Sequence, residues 1–176
     1  MKLLLALFLG ISLQAQASDS CPEFLNYELP KLHSKETVNL CKVAAGKPIL
    51  VINTASYCGY TRQFEGLELL HQKYKEKGLF VVGFASNDFN QESGSEKEVS
   101  KVCRQNYGVT FTMVSPSYVK GPLANPIFEV INKQSEEPRW NFNKYLLNSD
   151  GKVMNYFPSH VEPNSKVLIT AIEALL

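Results

Sequence analysis

Two apolar runs constrain this chain most: PILVIN at 48–53 and LFVVGFA at 79–85. Each is short, rich in β-branched residues and without polar alternation, the pattern of a strand buried on both faces. Between them the period changes. Phe64, Leu67, Leu70, His71 and Tyr74 recur at spacings of three and four, and Gly78 follows as a stop. The result is strand, helix, strand. The same alternation continues. Ser95-Glu96-Lys97-Glu98 has the S-x-x-E form of a capping box, which predicts a helix from Ser95 to about Tyr107, ended by Gly108. Residues 109–114 are β-rich, and a helix is predicted over 125–133 with Ile127, Phe128, Val130 and Ile131 as its core face. Asn148-Ser149-Asp150-Gly151, flanked by 142–147 and 152–157, signals a hairpin. Pro163 opens a last helix with an apolar stripe of Val167, Leu168, Ala171, Ile172, Leu175 and Leu176. Upstream, 26–32 and 37–41 read as two short strands. Strands alternating with helices give an α/β fold, and the closing hairpin makes its central sheet mixed.

The N-terminus reads as a separate element. Lys2 precedes a nearly unbroken apolar stretch, Leu3–Leu13, and Ala15-Gln16-Ala17 follows as a cleavage pattern. This predicts a secretory signal peptide at 1–17 and a single domain at 18–176, working in the periplasm or outside the cell. The apolar stretch is too short to span a bilayer comfortably, so no stable membrane insertion is expected. A net charge of +1 gives no broad electrostatic reason to bind nucleic acid. The three histidines are scattered, there is no C-x-x-C pair, and no metal or other cofactor is implied. Four cysteines, Cys21, Cys41, Cys58 and Cys103, permit two disulfides in an oxidising compartment.

Cys58 lies between the first buried strand and a helix predicted to start near Thr61. Strand ends in open α/β sheets face the ligand crevice, and a helix N-terminus favours a thiolate. Position alone leaves open a reactive thiol or a small buried residue. The surrounding segment, NTASYCGYTRQFEGLELLHQKY, resembles the glutathione peroxidase family, whose members carry N-x-A-S-x-C-G-x-T here. GFASNDF is similar to the family's G-F-P-C-N-Q-F, VCRQNYGVTF to F-C-x-x-x-Y-G-V-x-F, and RWNFNKYLLNSDGKV to its K-W-N-F segment. The resemblance spans about residues 24–176. It implies a thioredoxin-like fold with a short N-terminal β-hairpin, and hydroperoxide reduction by Cys58 through a sulfenic acid. It further implies that Trp140 and Asn141 assist with hydrogen bonds and that Cys103 is the resolving cysteine.

The chain departs from the family where glutamine is usual, because Asp88 stands there. A carboxylate about 5 Å from a thiolate, at an effective dielectric near 20, opposes its ionisation by roughly 3 kcal/mol. The expectation is that Asp88 points away, is protonated or is compensated by Arg62, with Asn87, Trp140 or Gln63 covering the lost donor; otherwise the enzyme is slowed. Ala85 and Ser86 replace the usual proline and cysteine. The resemblance also implies a monomer reduced by a thioredoxin-like dithiol protein, with glutathione as the other reductant, because the family's tetrameric, glutathione-using members carry a longer loop before the W-N-F segment than the compact stretch from Pro116 to Pro138. Cys21 and Cys41 lie outside every motif. A structural disulfide between them suits the compartment, and free thiols are the alternative. Two other roles use the same residues: a peroxide sensor relaying oxidation by disulfide exchange, and a weakened member kept as a binding scaffold.

Overall fold

The computed structural model describes residues 21–176, so the expected signal peptide lies outside the described residues. A two-stranded antiparallel hairpin comes first, β1 (Glu28–Pro30) and β2 (Thr37–Asn39). The second strand is shorter than the sequence suggests. Asn39 ends it by accepting a hydrogen bond from the Lys42 N–H, and this caps a short helix, α1 (Leu40–Ala44). Cys41 therefore sits on a helix rather than a strand. It is disulfide-bonded to Cys21, with the Cα atoms 5.6 Å apart.

β3 (Ile49–Thr54), α2 (Gln63–Tyr74) and β4 (Phe80–Ala85) form the expected crossover, with β3 and β4 parallel from Ile49↔Phe80 to Thr54↔Ala85. β5 (Thr112–Val114) joins β4 in parallel. β6 (Lys144–Leu147) runs antiparallel to β3, and β7 (Val153–Phe157) antiparallel to β6. The sheet order is β5-β4-β3-β6-β7, mixed as expected.

All six residues of β3 are buried, which explains its lack of polar alternation. Successive side chains leave opposite faces of the strand and enter two different cores. Leu50 and Ile52 pack with Phe64 and Leu67 of α2, and with Leu168 and Ile172 of α5 (Lys166–Glu173). Ile49 and Val51 pack with Leu29 and Val38 of the hairpin, and with Ile127, Phe128 and Ile131 of α4 (Pro126–Gln134). Burying each of these branched side chains is worth about 1.5–3 kcal/mol. Both layers are therefore tied to the central strand that carries the Cys58 loop at its C-terminal end.

Two helices differ from the sequence reading. The Ser95 hydroxyl makes no capping bond to α3 (Glu96–Ser100). The Ser95 N–H is instead taken by Ser93 Oγ, and Glu98 pairs with Lys101. The capping box is thus spent on other partners. After Ser100 the helix widens into a π-helical turn, Lys101–Asn106, which contains Cys103. In α5 the apolar stripe is narrower than its composition suggests. Leu168 and Ile172 are fully buried, while Val167 and Leu176 are exposed.

Candidate active site

β3 ends at Thr54, and the chain turns through residues 55–62 before α2 begins at Gln63. Cys58 is thus separated from the helix start by a tight turn. Thr61 organises that turn. Its Oγ1 accepts from the Cys58 N–H at 3.1 Å, and its hydroxyl reaches the carbonyls of Ala55 and Cys58. The N–H of Tyr60 points at Cys58 Sγ, 3.4 Å away. The sulfur therefore receives a backbone donor from the turn rather than from the first residues of α2. Cys58 is a free thiol, 7% exposed.

A second segment is folded against this loop by Asn53, one of the last residues of β3. Its Nδ2 donates to the Trp140 carbonyl at 2.9 Å, its Oδ1 accepts from Asn143 N–H, and its own carbonyl accepts from Phe142 N–H. The grip holds Phe142 in the left-handed region, at φ 62°, which is uncommon for a bulky residue and persists only when its surroundings enforce it. The sharp turn leaves Trp140 40% exposed, its ring against Phe89 at 5.3 Å, while Asn141 is fully buried. Asn141 Nδ2 donates to Gln91 Oε1 at 3.0 Å, and the Ser159 hydroxyl donates to the Asn141 carbonyl. Asn141 Oδ1 is buried without a hydrogen-bond partner among the described residues.

The loop after β4 completes the site. The Gln91 carbonyl accepts from Tyr57 N–H at 2.9 Å. Glu92 Oε1 accepts from Ser56 N–H at 3.0 Å and from Ser93 N–H at 2.8 Å. Burial raises the Glu92 carboxyl above its ordinary range, against the pull of those N–H donors. Asp88 agrees with the first of the expected alternatives, a side chain held elsewhere. Its carboxylate turns to the backbone of another loop and accepts from Val119 N–H at 2.6 Å and Lys120 N–H at 3.2 Å. Arg62 does not compensate it, because its guanidinium bonds Glu162 and the Gly59 carbonyl. Gln63 is no substitute donor for the thiol either. It is buried, donates to the Ser159 carbonyl and accepts from Lys144. Asn87 Oδ1 accepts from Glu92 N–H.

Lys144 is a fully buried cation behind this region. Burial lowers its pKa to about 7, partly offset by the charge of Glu162. Its Nζ reaches three acceptors, Gln63 Oε1 and the carbonyls of Val161 and Ser159. That arrangement uses all three N–H groups of an ammonium. It ties the start of α2 to the segment after β7.

Cys103, 1% exposed, is the other free cysteine and belongs to the same apolar cluster as Cys58. Burial pushes its thiol up to about 11, with Arg104 opposing. Sequence reasoning singled out Cys58, Cys103, Trp140 and Asn141 as candidates. It missed Asn53, Thr61, Gln91, Glu92 and Lys144. Asn53 and Thr61 lie inside the quoted Cys58 motif, so the motif itself held a signal. Glu92 carried none, being one polar residue in a polar loop.

A free cysteine beyond the end of the central strand, with a second free cysteine in the same core, fits a thiol oxidoreductase of thioredoxin-like fold. The glutathione peroxidase family profile matches residues 24–132, and the chain belongs to the glutathione peroxidase family. It is 40% identical to a glutathione peroxidase of Lactococcus lactis over 146 residues, covering 80% of this chain and 92% of the relative. It is 43% identical over 124 residues to a glutathione peroxidase-like peroxiredoxin of Schizosaccharomyces pombe, covering 67% of this chain and 78% of the relative. Among solved structures, the crystal structure of Trgpx in apo form superposes with a TM-score of 0.67 at 29% identity, over 86% of this chain and 94% of that one. A secreted Mycobacterium tuberculosis disulfide oxidoreductase shares the fold alone, with a TM-score of 0.60 at 14% identity over 88% of this chain and 98% of that one. The profile match includes Cys58, Asp88 and Cys103 and stops short of Trp140 and Asn141.

Proposed function

We propose that this enzyme is a thiol-dependent peroxidase in which Cys58 reacts with the hydroperoxide and Cys103 resolves it. The Cys58 thiolate attacks the terminal peroxide oxygen and the O–O bond breaks. The sulfur becomes a sulfenic acid, and the departing alkoxide or hydroxide takes a proton to leave as alcohol or water. Asn141, and Trp140 at the rim, are the proposed hydrogen-bond donors to the reacting oxygens. The Cys103 thiol then attacks the sulfenic sulfur, forming a disulfide and releasing water. An external dithiol reduces that disulfide and is itself oxidised. A thioredoxin-like protein is the favoured reductant, which the peroxiredoxin names of several relatives support, and glutathione is the other.

The observation that carries this reading is the division among the four cysteines. Cys21 and Cys41 are paired, whereas Cys58 and Cys103 are both free and share one apolar cluster. Disulfide Cα atoms must come within about 7 Å, and in the proposed cycle the π-helical turn around Cys103 shifts to bring the two sulfurs together. Such turns recur at functional sites. The proposed setting is periplasmic or extracellular, with a signal peptide removed after Ala17 and a monomeric domain at 18–176. The test is mass mapping of disulfides before and after one equivalent of hydrogen peroxide. Cys21–Cys41 is expected throughout and Cys58–Cys103 only after oxidation. A Cys58–Cys103 bond that persists in reductant-treated protein would reject the cycle.

A further inference from the structure

We infer that Gln91 and Glu92 form a clasp that holds the Cys58 loop in its peroxide-reactive geometry and releases it when Cys103 moves in, with Glu92 as a positioning residue of the reaction. The inference rests on the peroxidase reading above and adds residues that the motifs do not mark.

Three hydrogen bonds make the clasp. Glu92 Oε1 takes the Ser56 N–H, the Gln91 carbonyl takes the Tyr57 N–H, and Gln91 Oε1 takes Asn141 Nδ2. Two adjacent residues thus fix both the backbone before Cys58 and the amide proposed to assist it. Glu92 is buried, and its second oxygen, Oε2, has no hydrogen-bond partner among the described residues. A carboxylate bonded on one side only is expensive to bury. Its retention at this point fits a bond that is made and broken during turnover.

The clasp also sits at the root of the segment that carries Cys103. Glu92 connects to Cys103 through α3 and the π-helical turn. Each of these two pieces buries a single side chain, Val99 and Cys103 respectively. So little buried contact makes the segment a low-stability unit within the fold. Its downstream end is fixed by Glu68, which accepts from both Thr110 N–H and Thr110 Oγ1. Carboxylates therefore bracket the moving unit, and the upstream one is hydrogen-bonded to the loop that it must approach.

Two substitutions separate the reach of Glu92 from its charge. Glu92→Gln keeps the acceptor at the same length, and Glu92→Asp keeps the charge but withdraws the acceptor. Trp140 is the sole tryptophan and its fluorescence reports the site. Stopped-flow mixing with excess hydrogen peroxide gives a peroxide-dependent phase for Cys58 oxidation and a peroxide-independent phase for disulfide closure. In Glu92→Asp the first phase should slow about tenfold, the consequence of losing one buried hydrogen bond, and the second should quicken. Glu92→Gln should stay within about twofold of wild type in both, on the same reasoning. Gln91→Ala should slow only the first phase, since its backbone bond to Tyr57 survives. Glu92→Asp matching wild type, or slowing both phases, overturns the clasp while leaving the peroxidase cycle intact. A wild type with no peroxide-dependent phase overturns both. Amide exchange needs no variant. The Ser56 and Tyr57 amides should lose protection in the Cys58–Cys103 disulfide form, and unchanged protection also overturns the clasp.

Discussion

Asp88 shows how one side chain's direction outweighs its identity. At about 5 Å from a thiolate a carboxylate would be a severe handicap, yet its Oδ2 accepts from both the Val119 and Lys120 amides, which holds the side chain on another loop. Asp88→Gln is therefore expected not to raise the rate of peroxide reduction, and Asp88→Ala to lower stability by about 1–3 kcal/mol through the two orphaned N–H groups. Steady-state kinetics and urea melts check both, and a faster Asp88→Gln enzyme would show that the carboxylate does reach Cys58. Lys144 offers a second residue-level expectation. Its pKa is lowered to about 7 in the fold by burial, against about 10.4 for a free lysine. Between those values the unfolded chain binds the extra proton, so stability from this residue rises with pH across that window and is fully penalised below it. Lys144→Met lacks the titration. The stability of wild type minus that of Lys144→Met should climb from pH 7 to about pH 10. A flat difference would mean that the three acceptors hold the ammonium at its ordinary pKa.

At the scale of elements, the catalytic geometry depends on a strand end. Asn53 leaves β3 as a fully buried amide and grips the turn at Trp140–Asn143 from both of its side-chain atoms. Asn53→Ala is expected to cost about 2–3 kcal/mol and to slow the reaction of Cys58 with peroxide at least tenfold, because Asn141 loses its seat. A loss of stability with an unchanged peroxide rate would confine Asn53 to a structural role. The crossover β3–α2–β4 was legible because two unbroken apolar runs flank a 3.6 period, all written in consecutive residues. α1 was not, since five residues hold too little of any period and its start depends on one capping asparagine. The π-helical turn was equally invisible: 95–107 reads as one regular helix, and the widening appears only in the backbone around Cys103. The capping box failed for a related reason. Ser95 and Glu98 have the right spacing, but nearby Ser93 and Lys101 compete for them in three dimensions. Motif matching singled out Cys58 and Cys103, and the proposed clasp escaped it because hydrogen bonds between loops leave no period behind.

The whole molecule keeps its chemistry and its covalent staple on opposite sides of the sheet. Cys58 and Cys103 belong to the core on the α2 and α5 face, and Cys41 packs against the core on the α4 face. The Cys21–Cys41 bond closes a loop with a sequence separation of 20, joining the first described residue to α1. In the chain-entropy account a loop of that length contributes about 3 kcal/mol. For a domain of this size each kcal/mol moves the melting midpoint by roughly 2–4 °C, so Cys41→Ser should melt about 6–12 °C lower. Its reaction with peroxide should be unchanged, because the central sheet separates the staple from the Cys58 loop. Calorimetry and stopped-flow on the same preparation check the two halves together. A slowed peroxide reaction in a still-folded Cys41→Ser protein would mean that strain crosses the sheet, and that Cys21–Cys41 tunes the site as well as holding the fold.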